Sequence, residues 1–383
     1  MSPANGPRKL PLRNVGRPRG VFFGTSTFAE RPLRAFAATV DCVLVVTQPD
    51  RPAGRGQRAQ ATPVKQTAYT LGIPTLEPEK MSDALATLRT CDADLFAVAS
   101  YGKILPRSIL ELPRLGALNL HPSLLPLYRG AIPLQSQLRD GVRDSGVTII
   151  MMDAGMDTGD IVLQERHPIG PREDYGHLHD RFAVIGAQAL VRACELALSG
   201  RLQRTPQHGL ADEDAIARTL TRPLRKGETL ISTDVPPGRR TARDLVDHIR
   251  AFAPDPGARI MLYPFHPAYT KILAAHALQD GPKVAIESGN AVMVKGWILI
   301  RASDGWVAVD RLGVPGRRPT TADAFRHGYP VTGPKPYDGA LLDWYEDVGE
   351  TILCSAPSSG APLRRTGETP ERVTAHAHEA SRS

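Results

Sequence analysis

Asn119-Leu-His-Pro-Ser-Leu-Leu-Pro-Leu-Tyr-Arg-Gly-Ala131, followed by Gly146-Val-Thr-Ile-Ile-Met-Met-Asp-Ala-Gly-Met-Asp-Thr-Gly-Asp160, decides how this chain is read. Each half hangs on an apolar run of strand length, Ala117 to His121 and Gly146 to Met152, with a helical stretch from Pro133 to Arg139 between them. The same alternation continues outward. Val21 to Gly24, Asp41 to Thr47 and Leu95 to Ala99 read as buried strands, and Phe28 to Ala38 and Val64 to Leu71 as helices. Asp174 to Leu198 places Leu178, Phe182, Ile185, Ala189, Ala193 and Leu196 at helical spacing, with Gly200 as the stop. Continuous apolar strands alternating with helices predict an α/β fold, a mostly parallel, doubly wound sheet of Rossmann-like type.

The chemistry gathers at one sheet edge. Asn119 and His121 are two apart at a strand end, so their side chains share a face. The carboxyl ends of strands in an open α/β sheet are where ligands bind. The Gly-rich loop from Asp153 to Asp160 follows the next strand and can bring Asp157 back over that edge. An amide donor, an imidazole and a carboxylate suit acyl transfer to an amine. Asn119 would hold a developing oxyanion, His121 would donate to it or shuttle a proton, and Asp157 would keep the ring charged and oriented. The same residues also read as hydrogen-bonded turn positions, and local pattern leaves both readings open.

Other chemistries find no support. The chain has no GxGxxG, no P-loop and no GxSxG elbow. Cys42, Cys91, Cys194 and Cys354 lie far apart and read as reduced thiols of an intracellular protein. His177 and His179 fall on different helix faces, so no metal site is expected. No window approaches 18 uninterrupted apolar residues, and no membrane partner is expected. The 383 residues suit two or three domains. The 42% hydrophobic and 23% charged residues exclude wholesale disorder. A net charge of +7 points to an acidic partner.

After the first domain, residues 201–225 are polar and periodless. Thr241 to Asp244 resembles a capping box opening a helix that ends at Pro254 and Pro256. From Arg259 to about Val314 short strand-like segments, among them Val284–Ile286, Ala291–Val294, Ile298–Arg301 and Val307–Val309, predict a small antiparallel barrel or sandwich. The expected organisation is a basic extension (1–19), a catalytic domain (20–205), a linker (206–225), an OB-like β-barrel domain (226–330) and a largely disordered tail (331–383). The extension, with Arg8, Lys9, Arg13, Arg17 and Arg19, reads either as a solvated tail or as an organelle transit peptide.

Asn119-Leu-His121-Pro-Ser-Leu-Leu-Pro126, with Tyr128-Arg-Gly-Ala131 and Met156-Asp-Thr-Gly159, resembles the folate-dependent formyltransferase family. The resemblance implies formyl transfer from 10-formyltetrahydrofolate to an amine, with Asn119, His121 and Asp157 as the catalytic trio and no metal. It places folate contacts at Ala97, Tyr101, Gly102 and Ile104, at Ser123, Leu124, Leu125 and Pro126, and at Asp153 and Gly155. Thr47 to Gly56 resembles the loop that the methionyl-tRNA branch of that family inserts. Leu224 to Glu228, Ile249 to Phe252 and Gly316 to Arg318 resemble that branch's linker and C-terminal domain. These implications add methionyl initiator tRNA as partner, with Arg51, Arg55, Arg58 and Lys226 as tRNA contacts. A sugar-amine formyltransferase and a catalytically silent RNA-binding relative are the alternatives. The expected state is a monomer in the bacterial cytoplasm, with the mitochondrial matrix as the other compartment. The first turn departs from the pattern: Gly24-Thr-Ser-Thr-Phe28 stands where the family has Gly-Thr-Pro-Asp-Phe.

Overall fold

A computed structural model describes residues 16–53, 58–225, 227–231, 240–262, 269–282, 288, 290–294, 297–328 and 351–354. The N-terminal region runs β1 (Arg19–Gly24), α1 (Glu30–Thr39), β2 (Asp41–Val46), β3 (Arg51–Ala53), β4 (Arg58–Gln60), α2 (Pro63–Thr70), β5 (Thr75–Leu76) and α3 (Met81–Thr90). It continues with β6 (Leu95–Ala99), α4 (Arg107–Leu110), β7 (Ala117–His121), α5 (Pro133–Arg139), β8 (Gly146–Met151), β9 (Asp160–Arg166) and α6 (Tyr175–Leu198).

Seven strands form one sheet in the order β5-β2-β1-β6-β7-β8-β9. The first five are parallel, β8 runs antiparallel to β7, and β9 runs antiparallel to β8. Every residue of β1, β6, β7 and β8 is buried, which is why these strands read as unbroken apolar runs. Phe22, Leu118 and Leu120 pack with Leu33 and Phe36 of α1 and Phe182 and Leu190 of α6. Phe23, Val98 and Ala117 pack with Leu88 of α3 and Ile109 of α4 on the other face. At Gly186 in α6, a Cβ would lie 2.6 Å from a Leu120 methyl, so the glycine lets the helix press on β7 itself.

The C-terminal region contains α7 (Glu213–Thr219), α8 (Ala242–Phe252), β10 (Ala258–Met261), β11 (Tyr269–Leu278), β12 (Ala291–Val294), β13 (Trp297–Arg301), β14 (Trp306–Gly313), β15 (Thr320–Thr321), α9 (Ala322–Gly328) and β16 (Thr351–Cys354). Its strands form an antiparallel half-barrel in the order β10-β11-β14-β13-β12-β16, with β15 on β14. The capping box forms as expected: Thr241 Oγ1 accepts from Asp244 N at 3.1 Å, and Thr241 N donates to Asp244 Oδ2 at 3.2 Å. α8 joins the two cores. Its Leu245 and Ile249 pack with the half-barrel, while Ala251 and Phe252 enter the core of the first domain.

Several segments differ from the sequence expectation. Thr27–Ala29 is a 3-10 turn, so the first helix begins at Glu30. The polar stretch 201–225 holds α7 and packs back on the catalytic domain through Thr205, which exchanges hydrogen bonds with Ile161 at 2.8 and 2.9 Å. Thr351–Cys354, inside the expected disordered tail, pairs with β12. The strand expected at Val284–Ile286 lies outside the described residues.

Candidate active site

β7 ends at the carboxyl edge of the parallel strands. Alternation puts Leu118 and Leu120 into the α1–α6 core and turns Asn119 and His121 to the opposite face. β8 runs antiparallel to β7, so the loop after it emerges beside the start of β7, where Met152 N donates to Ala117 O. The loop 153–159 therefore crosses the sheet face to reach the site, a longer path than a turn over the edge.

It delivers Asp157 between the other two groups. Asn119 Nδ2 donates to Asp157 Oδ1 at 3.2 Å. Asp157 Oδ2 accepts from Gly130 N at 2.8 Å and stands 3.6 Å from His121 Nδ1. His121 Nε2 lies 2.9 Å from Tyr128 O. A carbonyl only accepts, so Nε2 carries a proton and Nδ1 is the nitrogen that faces the carboxylate. Asn119 is 8% exposed and His121 is 4% exposed, so both side chains are largely closed to water. Asp157 has φ +55°, a left-handed backbone that non-glycine residues seldom adopt.

The other expected contacts divide into three places. Ala97 is buried in the core, and Tyr101 is held by its hydroxyl on Met81 Sδ at 3.0 Å, its phenol pushed up to about 12 by burial. Gly102 has φ +77°, and Ile104 beyond it is 74% exposed. Ser123 Oγ donates to Leu127 O at 2.7 Å. Leu124, Leu125 and Pro126 line a cavity of about 580 Å³ with Gln164 and α7, and none of the trio lines it. Asp153 sits in the exposed loop, accepting from Gly155 N and Thr158 Oγ1.

Comparisons with known proteins bear on this geometry. The family model described as "Formyl transferase" matches residues 19–194, and "Formyl transferase, C-terminal domain" matches 239–330. A methionyl-tRNA formyltransferase of Pelotomaculum thermopropionicum is 38% identical over 82% of this chain and 96% of its own length. That of Paracidovorax citrulli is 39% identical over 81% of this chain and 95% of its own. The chain belongs to the methionyl-tRNA formyltransferase family. An N-formyltransferase of Helicobacter canadensis shares the fold, with a TM-score of 0.53 at 17% identity, covering 76% of this chain and 98% of its own.

β3 and β4 make an antiparallel ribbon, Arg51 opposite Gln60. Arg51 is exposed and Arg58 lies in β4, while Arg55 and Lys226 fall outside the described residues. Lys65, one residue into α2 beyond Val64, bonds Asp50 and Glu77 at 2.8 Å and so fastens the ribbon's root. Burial alone would lower this lysine, but both carboxylates outweigh that and hold it above its ordinary value. Near Lys226 in sequence, Arg222 is committed to Glu228. Burial would raise Glu228, yet the bond from Arg222 holds it below the usual carboxylate range.

Residues that carried no signal in the sequence complete the formyltransferase site. Gln207 is 3% exposed and bonds the carbonyls of Asp157 and Gly159. Thr221 brackets Gly130: its N–H donates to Arg129 O at 2.8 Å, and its hydroxyl accepts from Ile132 N at 3.2 Å. Both lie in the polar stretch that reads as a linker, where a lone Gln or Thr looks like any solvated loop residue. Among the described residues, no group of three or more His, Cys, Asp or Glu could hold a metal, and no helix is long and apolar enough to cross a membrane.

Proposed function

We propose that this chain transfers a formyl group from 10-formyltetrahydrofolate to the amino group of methionyl initiator tRNA. The observation that carries the chemistry is the anchored carboxylate of Asp157, held by Asn119 Nδ2 and Gly130 N while it faces His121 Nδ1. The acceptor rests on similarity to methionyl-tRNA formyltransferases along nearly their full length.

The folate supplies an activated formyl carbon, and the site suits it. Ile104 and Met156, 74% and 54% exposed, offer apolar cover for a flat ring on the two loops beside the trio. Gly102, Asp153 and Gly155 would add polar backbone and carboxylate contacts on those loops. Asn119 Nδ2 has a second proton with no partner among the described residues, and it is placed to meet the formyl oxygen as charge gathers there. At 3.6 Å the His121–Asp157 contact is too long for a hydrogen bond, so Nδ1 keeps its donor for the substrate while the carboxylate balances the ring's charge. The amine attacks the formyl carbon, Asp157 takes the proton the amine loses, and the Nδ1 proton of His121 passes to N10 as the C–N10 bond breaks and tetrahydrofolate leaves.

Arg51, Arg55, Arg58 and Lys226 would meet tRNA phosphates, with Arg51 presented on the anchored ribbon. The chain would act as a monomer in the cytoplasm. Transfer of labelled formyl to methionyl-tRNA, beside uncharged tRNA and amino sugars, tests the proposal. Labelling of methionyl-tRNA alone supports it, and labelling of an amino sugar instead overturns it.

A further inference from the structure

One buried amide ties together the two loops that carry the site. Gln207 Nε2 donates to Asp157 O at 2.9 Å and to Gly159 O at 2.7 Å. Its Oε1 accepts from Arg129 Nε at 3.1 Å and from Arg129 Nη2 at 2.7 Å. Two donors and two lone pairs are the whole capacity of a primary amide, so the group is fully used. Gln207 lies between the two matched domain regions, 19–194 and 239–330, and is brought in by the Thr205–Ile161 pairing on β9.

What it holds is the back of the catalytic arrangement. Asp157 and Tyr128 both have positive φ, +55° and +61°, without being glycine. Such backbone persists when surrounding contacts over-determine it. The Tyr128–Gly130 loop offers Tyr128 O to His121 and Gly130 N to Asp157, and Arg129 sits between those two contacts facing Gln207. The 157–159 loop turns its carbonyls to the same amide and its carboxylate to the trio.

We propose that Gln207 is a positioning residue for formyl transfer, setting the Asp157 carboxylate against His121 through the backbone of residues 157–159 and through Arg129. This rests on the catalytic reading of Asp157 and His121 given above. A misplacement of a reacting group by about 1 Å can lower turnover on the order of a hundredfold.

The test uses the full chain with Gln207→Leu and Gln207→Glu. Leucine keeps the volume and removes all four bonds. Glutamate keeps the acceptor for Arg129, now as an ion pair, but sets a carboxylate against two carbonyl oxygens. Both variants should lose kcat by roughly tenfold to a hundredfold with KM for folate and methionyl-tRNA within about threefold. Gln207→Glu should be slower than its loss of thermal stability accounts for. A merely structural glutamine predicts that activity follows thermal stability, so near-normal kcat in a stable Gln207→Glu overturns the proposal. In an Asp157→Asn background, Gln207→Leu should cost less than about threefold further, because it acts through that carboxylate. Full additivity overturns the proposal. The His121 ring nitrogens, followed by NMR, should shift between wild type and Gln207→Leu, and unchanged signals overturn it as well. Wild-type protein that moves no formyl group to methionyl-tRNA would sink the functional reading instead, and the ring signals then decide the positioning on their own.

Discussion

Gly130 donates its backbone N–H to Asp157 Oδ2 at 2.8 Å, and it can do so only because it has no side chain. With φ +110°, a Cβ at position 130 would stand 2.1 Å from Thr221 O. The Tyr-Arg-Gly sequence thus has two physical reasons to contain glycine: a left-handed turn and a backbone pressed against the segment that follows α7. Gly130→Ala should push the loop off Thr221 and draw its N–H away from the carboxylate. We expect a stability loss of about 1–3 kcal/mol and a turnover loss beyond what that explains. Urea unfolding and kcat on the same preparation check this, and normal turnover would detach Gly130 from the site.

The trio itself should respond residue by residue. Asn119→Ala or His121→Ala should lower kcat by roughly a hundredfold or more, the usual worth of one oxyanion donor or general acid. Asp157→Asn puts an NH2 group in place of one of the two oxygens that accept from Asn119 Nδ2 and Gly130 N, so one of two donors loses its partner, and it removes the negative charge that faces His121 Nδ1. Its kcat should fall by a similar factor with folate affinity unchanged. Near-normal turnover in any of the three variants would remove that residue from the mechanism.

An acid-labile pair underlies the junction between the domains. Arg181 grips Glu173 with bonds of 2.7 and 2.8 Å, and Gly170 N adds a third at 3.0 Å. Burial alone would raise the Glu173 carboxyl, but these donors outweigh it and hold it below its ordinary value. The carbonyls of Gly170 and Glu173 receive Arg250 from α8. A depressed carboxylate gives stability that is present above its unfolded value and lost as pH falls through the folded one. Glu173→Gln should therefore cost about 1–3 kcal/mol at pH 7, and the gap from wild type should close under acid. Urea titrations at several pH values report it, and a pH-independent gap would contradict the linkage.

The thiols make a separate chemical prediction. Burial pushes Cys42 and Cys194 up to about 12 and Cys91 up to about 11. The thiolate is the reactive form, so at pH 8 at most roughly 0.1% of any of them is ionised. With Cys354 replaced by Ser, the native protein should leave a thiol reagent essentially unreacted at pH 8 and titrate three thiols in denaturant. Fast labelling without denaturant would mean that the core opens far more readily than its packing indicates.

How much of this was readable before the structure follows from the physics of each element. Asn119 and His121 were legible because strand alternation has a period of two and their neighbours Leu118 and Leu120 are core residues. The central strands were legible because they are buried on both faces. β9 was not: it lies at the sheet edge, only Ile161 is fully buried, and its second half is polar and charged, so it shows no long apolar run. β11 was missed because its register shifts at Ile272 to Ala275 break the alternation that marks a strand. Gln207 and Thr221 were invisible for another reason. Their burial comes from long-range contact with residues 128–130 and 157–159, and no local pattern encodes that.

The last prediction concerns the ribbon. Asp50 is the one acidic residue between Gln48 and Ala61, and Lys65 neutralises it at the root, so the ribbon's net field comes from its arginines. Arg51 is exposed on β3, and Arg55 belongs to the same insertion. Arg51 is exposed and Arg55 stands between two glycines in a polar stretch of sequence, so Arg51→Ala and Arg55→Ala should leave the thermal midpoint unchanged. If the ribbon meets tRNA phosphates, each replacement should raise the tRNA KM and flatten the log–log salt dependence of tRNA binding by roughly 0.7 to 0.9, one released counterion's worth. Folate affinity should not change. Lys65→Met gives a complementary reading, because it leaves the arginines in place and loosens their base. It should weaken tRNA binding with little effect on the salt slope, since the number of phosphate contacts is kept while their placement is not. A contact to a base edge would show differently, as lost discrimination between initiator and elongator methionyl-tRNA at every salt concentration. Measuring kcat/KM for both tRNAs across a salt series separates these cases. Identical curves for wild type and both arginine variants would make the ribbon plain surface and move tRNA recognition to the C-terminal domain.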